Sequence, residues 1–166
     1  MENIKASPII SGTDDIQNFS VMGGNYRILV SGKQTGGAFA TIDMLIPPGG
    51  GPGPHSHAGF HETFYVLDGE VVVKSEAGSY TARKGSYVVI PKGGIVHQFK
   101  NESGNMAQLL CTVVPSGLEE MFLAIGEPVA TGTFLPPPVM NEETQIKMKI
   151  LAERYGQKLF PPDFLA

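Results

Sequence analysis

The chain has one cysteine in its 166 residues, Cys111, so it cannot close an internal disulfide. Cys111 sits inside the apolar run from Met106 to Val114, which reads as a small buried hydrophobe rather than a reactive thiol. A reduced, cytoplasmic setting is therefore expected. Basic charge is sparse and dispersed: 12 Lys and Arg stand against 16 Asp and Glu, for a net charge of −4. Phosphate backbones and anionic membrane surfaces both require concentrated basic charge, so neither is an expected partner. No apolar stretch approaches the roughly 20 residues of a membrane span. The opening residues Met1 to Lys5 lack the apolar centre of a signal peptide. No glycine-rich stretch carries the Lys-Ser or Lys-Thr of a phosphate loop, and no serine or cysteine stands in a recognisable nucleophile setting.

Glycine is what the chain has in excess, 21 residues beside 13 prolines, with 42% hydrophobic residues. The length suits one domain, residues 1–166, with one core. The glycines and prolines punctuate short apolar runs, as in an all-β domain with many tight turns. Strand-like runs cover Asn18 to Met22, Tyr26 to Val30 and Ala38 to Ile46. In the last of these Ala40, Ile42, Met44 and Ile46 share one face and Thr41 and Asp43 the other, the period of two of a half-buried strand. Further runs cover Glu62 to Leu67, Glu70 to Lys74, Tyr87 to Ile90, Val96 to Lys100 and Met106 to Val114. Asp68-Gly69 between two such runs is a strong hairpin signal, because the pair tolerates positive φ. Strands of this length and spacing predict a sandwich or a barrel.

After Val114 the period changes. Ser116 followed by Glu119 has the pattern of a capping box, with Leu118, Met121, Phe122 and Ile125 on one helical face and Gly126 as the stop. Residues 135–139 form an extended proline-rich connector. A second helix is expected from Glu142 to about Tyr155, with Asn141 as cap and Ile146, Ile150 and Leu151 facing inward. Both helices are expected to pack on the outside of the β portion.

Of the four histidines, three lie between positions 55 and 61 and the fourth is His97. On a strand His55 and His57 share a face, and Glu62 can return to the same point if the chain bends after His57. His97 shares a face with the apolar Phe99, and imidazoles turned toward an apolar interior need a partner such as a metal ion. His61 precedes Glu62 and should point away from it, in a structural or supporting place. Phe60, Phe64 and Phe99 read as core, the last two able to line a pocket as well. The glycine-rich stretch from Gly49 to Pro54 is either a long turn or an uncluttered entrance.

Gly49, His55, His57, Glu62 and Gly69, at intervals of five, one, four and six residues, resemble the first motif of the cupin superfamily. Gly85, Pro91, Gly93, His97 and Asn101 resemble its second motif, with three residues rather than the usual two between Gly93 and His97. The chain is thus similar to small single-domain cupins, including those like quercetin dioxygenase. The resemblance implies an all-β, double-stranded β-helix or jelly-roll barrel over about residues 37–114, and a helical extension over about 115–166. It also implies one divalent transition metal ion (Fe, Mn, Ni, Co, Cu or Zn) in the barrel mouth, held by His55, His57, Glu62 and His97. Four protein ligands on an octahedral ion leave two positions open.

On that reading the chain is a metal-dependent dioxygenase of a small phenolic or flavonol-like molecule, with Glu62 also serving as base. A redox-neutral isomerase or lyase, and a non-catalytic binding module, remain open, because the barrel hosts many functions. Small cupins commonly pair, so a homodimer is expected, with the strands between Asn18 and Val30 as candidates to join a neighbour's sheet.

Overall fold

The computed structural model describes residues 7–166, so the opening residues read above for a leader lie outside it. Ten strands come first: β1 (Asn18–Val21), β2 (Gly24–Val30), β3 (Ala40–Ile46), β4 (His55–His57), β5 (His61–Asp68), β6 (Glu70–Ser75), β7 (Gly78–Arg83), β8 (Tyr87–Ile90), β9 (His97–Lys100) and β10 (Ala107–Val114). Then follow α1 (Leu118–Ile125), β11 (Glu127–Val129), α2 (Glu142–Arg154) and β12 (Gln157–Leu159). One sheet has seven strands in the order β11-β1-β2-β3-β10-β5-β8, and the other has five in the order β12-β4-β9-β6-β7. All their pairings are antiparallel. The architecture is the jelly-roll barrel that the sequence predicts.

The core follows from the two-residue alternation. Ala40, Ile42, Met44 and Ile46 are all buried, and beside them in register lie Val113, Cys111, Leu109 and Ala107 of β10. This face meets buried Val71, Ala82 and Phe99 of the smaller sheet, where Phe99 packs edge-to-face on Phe64 with ring centroids 5.1 Å apart. Each large aliphatic side chain buried here contributes about 1.5–3 kcal/mol. Asp43, on the opposite face of β3, is buried by polar means: Arg27 Nη2 and Gln108 Nε2 donate to its carboxylate at 2.6 and 2.8 Å.

The Asp68-Gly69 pair does not make a hairpin. β5 lies between β10 and β8, whereas β6 lies between β9 and β7, so the chain crosses from one sheet to the other at this point. Gly69 has φ 70°, and a Cβ there would come 2.5 Å from the carbonyl oxygen of Met106. The backbone freedom that suits a tight turn serves here to pass a barrel corner close against β10. The tight hairpin is the next one, β6 to β7, where Ser75 faces Gly78.

The helices also differ from expectation in detail. The N-cap of α1 is Gly117, with no side-chain cap. Glu119 is instead buried, and its carboxylate accepts from the Gly32 and Gly117 amides, each at 2.7 Å, which ties the helix start to the loop after β2. Asn141 caps α2 as predicted, accepting from Thr144 N at 2.9 Å. Ile146 and Ile150 are exposed, however, and Ala152, Met148 and Tyr155 face the core. The inward face of α2 is built from small and flexible residues, and the isoleucines advertise a stripe the fold does not bury. β1 and β2 pair with β11 and β3 of their own chain.

Candidate metal centre

β4 sits between β12 and β9 in the smaller sheet, so it is held on both edges although it has three residues. Alternation turns His55 and His57 to the same side. His97, first residue of β9, is the register partner of His55, and their ring centroids are 4.3 Å apart. The chain then crosses to the larger sheet, and the second residue of β5, Glu62, returns a carboxylate toward the three rings. The centre therefore bridges the two sheets at one end of the barrel. All four residues are buried, and each offers a donor atom within 4.8 Å of the others.

The hydrogen bonds fix which atom each ring presents. His55 Nδ1 donates to Gly53 O at 2.9 Å, His57 Nδ1 to Phe60 O at 3.1 Å and His97 Nδ1 to Ile95 O at 3.0 Å. A carbonyl oxygen only accepts, so each Nδ1 carries a proton and Nε2 is the atom that each ring presents to the others. His57 Nε2 lies 3.0 Å from Glu62 Oε2, and His97 Nε2 lies 3.4 Å from the same oxygen. These contacts between ring nitrogen and carboxylate are favourable only with a cation between them, either a proton on Nε2 or a metal ion. The donor set is thus suited to a borderline divalent ion, and the backbone carbonyls behind the rings supply the orientation such ligands need.

Neighbouring groups tune these donors. Burial, and then the charge of His97, lower the His55 ring from its ordinary 6.5 to about 4, so it stays neutral. Burial pushes the Glu62 carboxyl up, but hydrogen bonds with His57 and His97 outweigh it and hold the group at about 2. Phe60 stacks on His57 with centroids 4.1 Å apart and planes 12° from parallel, closing one face of that ring. Cys111 Sγ donates to Glu62 Oε1 at 3.7 Å, and burial pushes its thiol up, so it remains protonated.

The structure brings together all four residues singled out from the sequence. The additional residue before His97 is absorbed in a loop where Gly93 and Gly94 both have positive φ, 116° and 85°. The ring of His97 is 1% exposed and faces the other donors, so the longer loop does not misdirect it. His61 is exposed and outside the cluster, its Nδ1 accepting from Lys92 N at 3.3 Å. Asn101 of the second motif is structural. Its backbone exchanges bonds with Gly49 and Gly50 at 2.7 and 2.9 Å, and its side chain holds Ile46 O, which joins the two motifs into one unit.

A cavity of about 750 Å³ opens on the centre, with His55 and Glu62 in its wall. Its sides are mostly apolar: Met44 and Phe99 from the barrel, Met121 and Phe122 from α1, Met148 from α2. The residues from Gly49 to Pro54 line it too, so the glycine-rich stretch borders the entrance. Tyr26 also lines it and makes no side-chain hydrogen bond among the described residues. Burial, and with it the Glu62 charge, pushes its phenol well above the usual range, so it is a neutral donor.

A family profile described as the cupin domain matches residues 42–113, the stretch that supplies all four donors. This segment is a cupin domain. Quercetin 2,3-dioxygenase of Bacillus subtilis (strain 168) is 26% identical to the chain over 103 residues, 62% of this chain and 30% of that enzyme. The match thus spans less than a third of the enzyme's length. Ectoine synthase from P. lautus superposes with a TM-score of 0.58 at 19% identity, covering 81% of this chain and 99% of its own. A sugar phosphate isomerase of the cupin superfamily from Silicibacter pomeroyi gives 0.56 at 23% identity, covering 66% and 77%. These two share the cupin fold with the chain. Among the described residues no helix is long and apolar enough to cross a membrane.

Proposed function

We propose that this cupin is a metal-dependent dioxygenase of a small, largely apolar phenolic or flavonol-like molecule. The observation that carries the reading is the placement of His55 and Glu62 in the wall of a mostly apolar cavity of about 750 Å³. A volume of this size is typical of small-molecule sites. Among the described residues the wall holds a single lysine, Lys149, and no arginine, which ill suits a sugar phosphate. The similarity to quercetin 2,3-dioxygenase supports the same choice.

A divalent ion on His55, His57, Glu62 and His97 would polarise a bound oxygen donor and supply redox chemistry. The chain's own residues do the rest. The three Nδ1–H bonds to backbone carbonyls hold the rings in one tautomer. Glu62, as the one carboxylate on the wall, is placed to accept the proton of a substrate hydroxyl. An acidic hydroxyl, such as that of a phenol, suits a carboxylate base. Tyr26 can donate to a second substrate oxygen, and the apolar walls keep bulk water out. We further propose that the whole chain folds as one domain and works as a cytoplasmic homodimer.

The test is oxygen uptake by the Fe(II), Mn and Ni forms with a flavonol or a catechol. Uptake that depends on both metal and substrate supports the reading. Turnover unchanged by removal of oxygen would move the chain to a redox-neutral isomerase or lyase. Binding with no turnover would make it a non-catalytic module.

A further inference from the structure

The cavity is only half built by the segment that matches the family profile, residues 42–113. The rest of its wall comes from residues 21–26, from α1 and from an arm comprising the connector at Pro137, α2, β12 and the residues to Pro162. Three observations tie this arm to the metal centre. β12 pairs with β4, and Leu159 stands in register with His55. Phe160 N donates to Pro54 O at 3.0 Å, one residue before His55. Ala152 is fully buried, and Met148, Tyr155 and Leu159 pack against the core, so the arm is seated rather than loose. Five of the chain's seven methionines (Met22, Met44, Met121, Met140 and Met148) line this one cavity. Methionine is unbranched and polarisable, and a surface made of it adapts to ligands of different outline.

We propose that the arm, residues 137–162, completes the binding site, and that its helix α2, which packs beyond β12, selects ligands by the length of their apolar body. The inference rests on the small-molecule part of the reading above, but not on oxygen chemistry. A ligand places an oxygen donor at His55 and Glu62 and runs outward between Met121 and Phe122 on one side and Met148, Leu159 and Phe160 on the other. A one-ring ligand fills the inner end beside Leu159, which stands in register with His55, and does not reach α2. A ligand with a second ring system reaches it. Selection by such a wall discriminates length and bulk rather than the pattern of polar substituents, because its side chains offer few polar atoms.

The test compares catechol and quercetin, titrated without oxygen into the metal-loaded full chain. Met148→Trp fills the outer end, and Met148→Phe is the milder variant should the first fail to fold; metal content and thermal midpoint check both. The expected result is a quercetin Kd raised at least tenfold with the catechol Kd within twofold. Gln145→Trp, on α2 and in the cavity wall of a chain that has no tryptophan, gives a direct contact signal. Its emission should be quenched by quercetin at saturation and unchanged by catechol. Equal weakening of both ligands, an unchanged quercetin Kd, or no binding of either to the natural chain overturns the proposal. Absence of oxygen uptake with the binding pattern intact overturns only the dioxygenase reading.

Discussion

Cys111 Sγ and Glu62 Oε1 are hydrogen-bonded at 3.7 Å, on the side of the carboxylate away from the histidines. The thiol therefore occupies one carboxylate oxygen and leaves Oε2 to face His57 and His97. Cys111→Val removes the donor at nearly constant volume, and the fold should lose less than about 1.5 kcal/mol. Metal affinity should fall roughly tenfold, the usual scale for losing a partner behind a ligand. Cys111→Ser keeps a donor and should restore most of the affinity. Competition with a chelator reads both, and equal affinity in all three proteins would remove the thiol from the centre's design.

His55→Ala and His57→Ala should each reduce metal content of protein made without a histidine tag from near one ion per chain to near none. Far-UV circular dichroism should stay that of a β protein, since the core lies between the sheets and not at the cluster. Collapse of the β signal on either change would mean that the cluster is a folding element instead.

The metal-free chain should lose stability in acid. His55 is lowered to about 4 from 6.5, so between those values the unfolded chain binds the proton that the folded chain refuses. Stability is thus full above about 6.5 and falls as pH drops toward 4, by roughly 3 kcal/mol at about 1.4 kcal/mol per unit. Glu62, held at about 2 against 4.5, extends the loss below that window with the same sign. Metal release follows the same direction, because protons compete for the ring nitrogens. Denaturant midpoints between pH 7 and 4 test this, and His55→Asn should flatten the upper part of the curve.

Tyr26→Phe deletes one hydroxyl from a wall with few polar atoms. Metal content and thermal midpoint should not move, because this hydroxyl bonds to no described residue. Affinity for a ligand that offers an acceptor there should fall, on the scale of about 1 kcal/mol for one hydrogen bond. A midpoint lowered by several degrees with unchanged ligand affinity would assign the hydroxyl to the core.

Gly69→Ala should destabilise the barrel, since the added Cβ would meet the Met106 carbonyl in a backbone with positive φ. The thermal midpoint measures this, and an unchanged value would place the corner elsewhere. This position also shows what the sequence could and could not convey. Asp-Gly announces a tight reversal, but not whether the next strand pairs with the previous one, because that depends on which sheet the chain enters. The four donors were legible, since strand parity and motif spacing are local properties. The Nδ1–carbonyl contacts were not, because backbone atoms carry no sequence signature. Cys111 was readable as buried, though not as a neighbour of Glu62, which lies two registers of pairing away in another strand. The face of α2 was misread because Ile146 and Ile150 outweigh Ala152 in hydropathy, while it is the small Ala152 that packs into the core. Gln157-Lys-Leu159 is too short to show any period, so β12 left no trace in the sequence.

The pairing of β12 with β4 also gives the centre an order in time. During synthesis His55, His57, Glu62 and His97 all leave the ribosome well before residues 157–159. The β4–β9 ladder and the donor cluster can form on the partial chain with one edge of β4 still bare. Once β12 has covered that edge, the cavity is the route by which an ion or a ligand reaches His55 and Glu62.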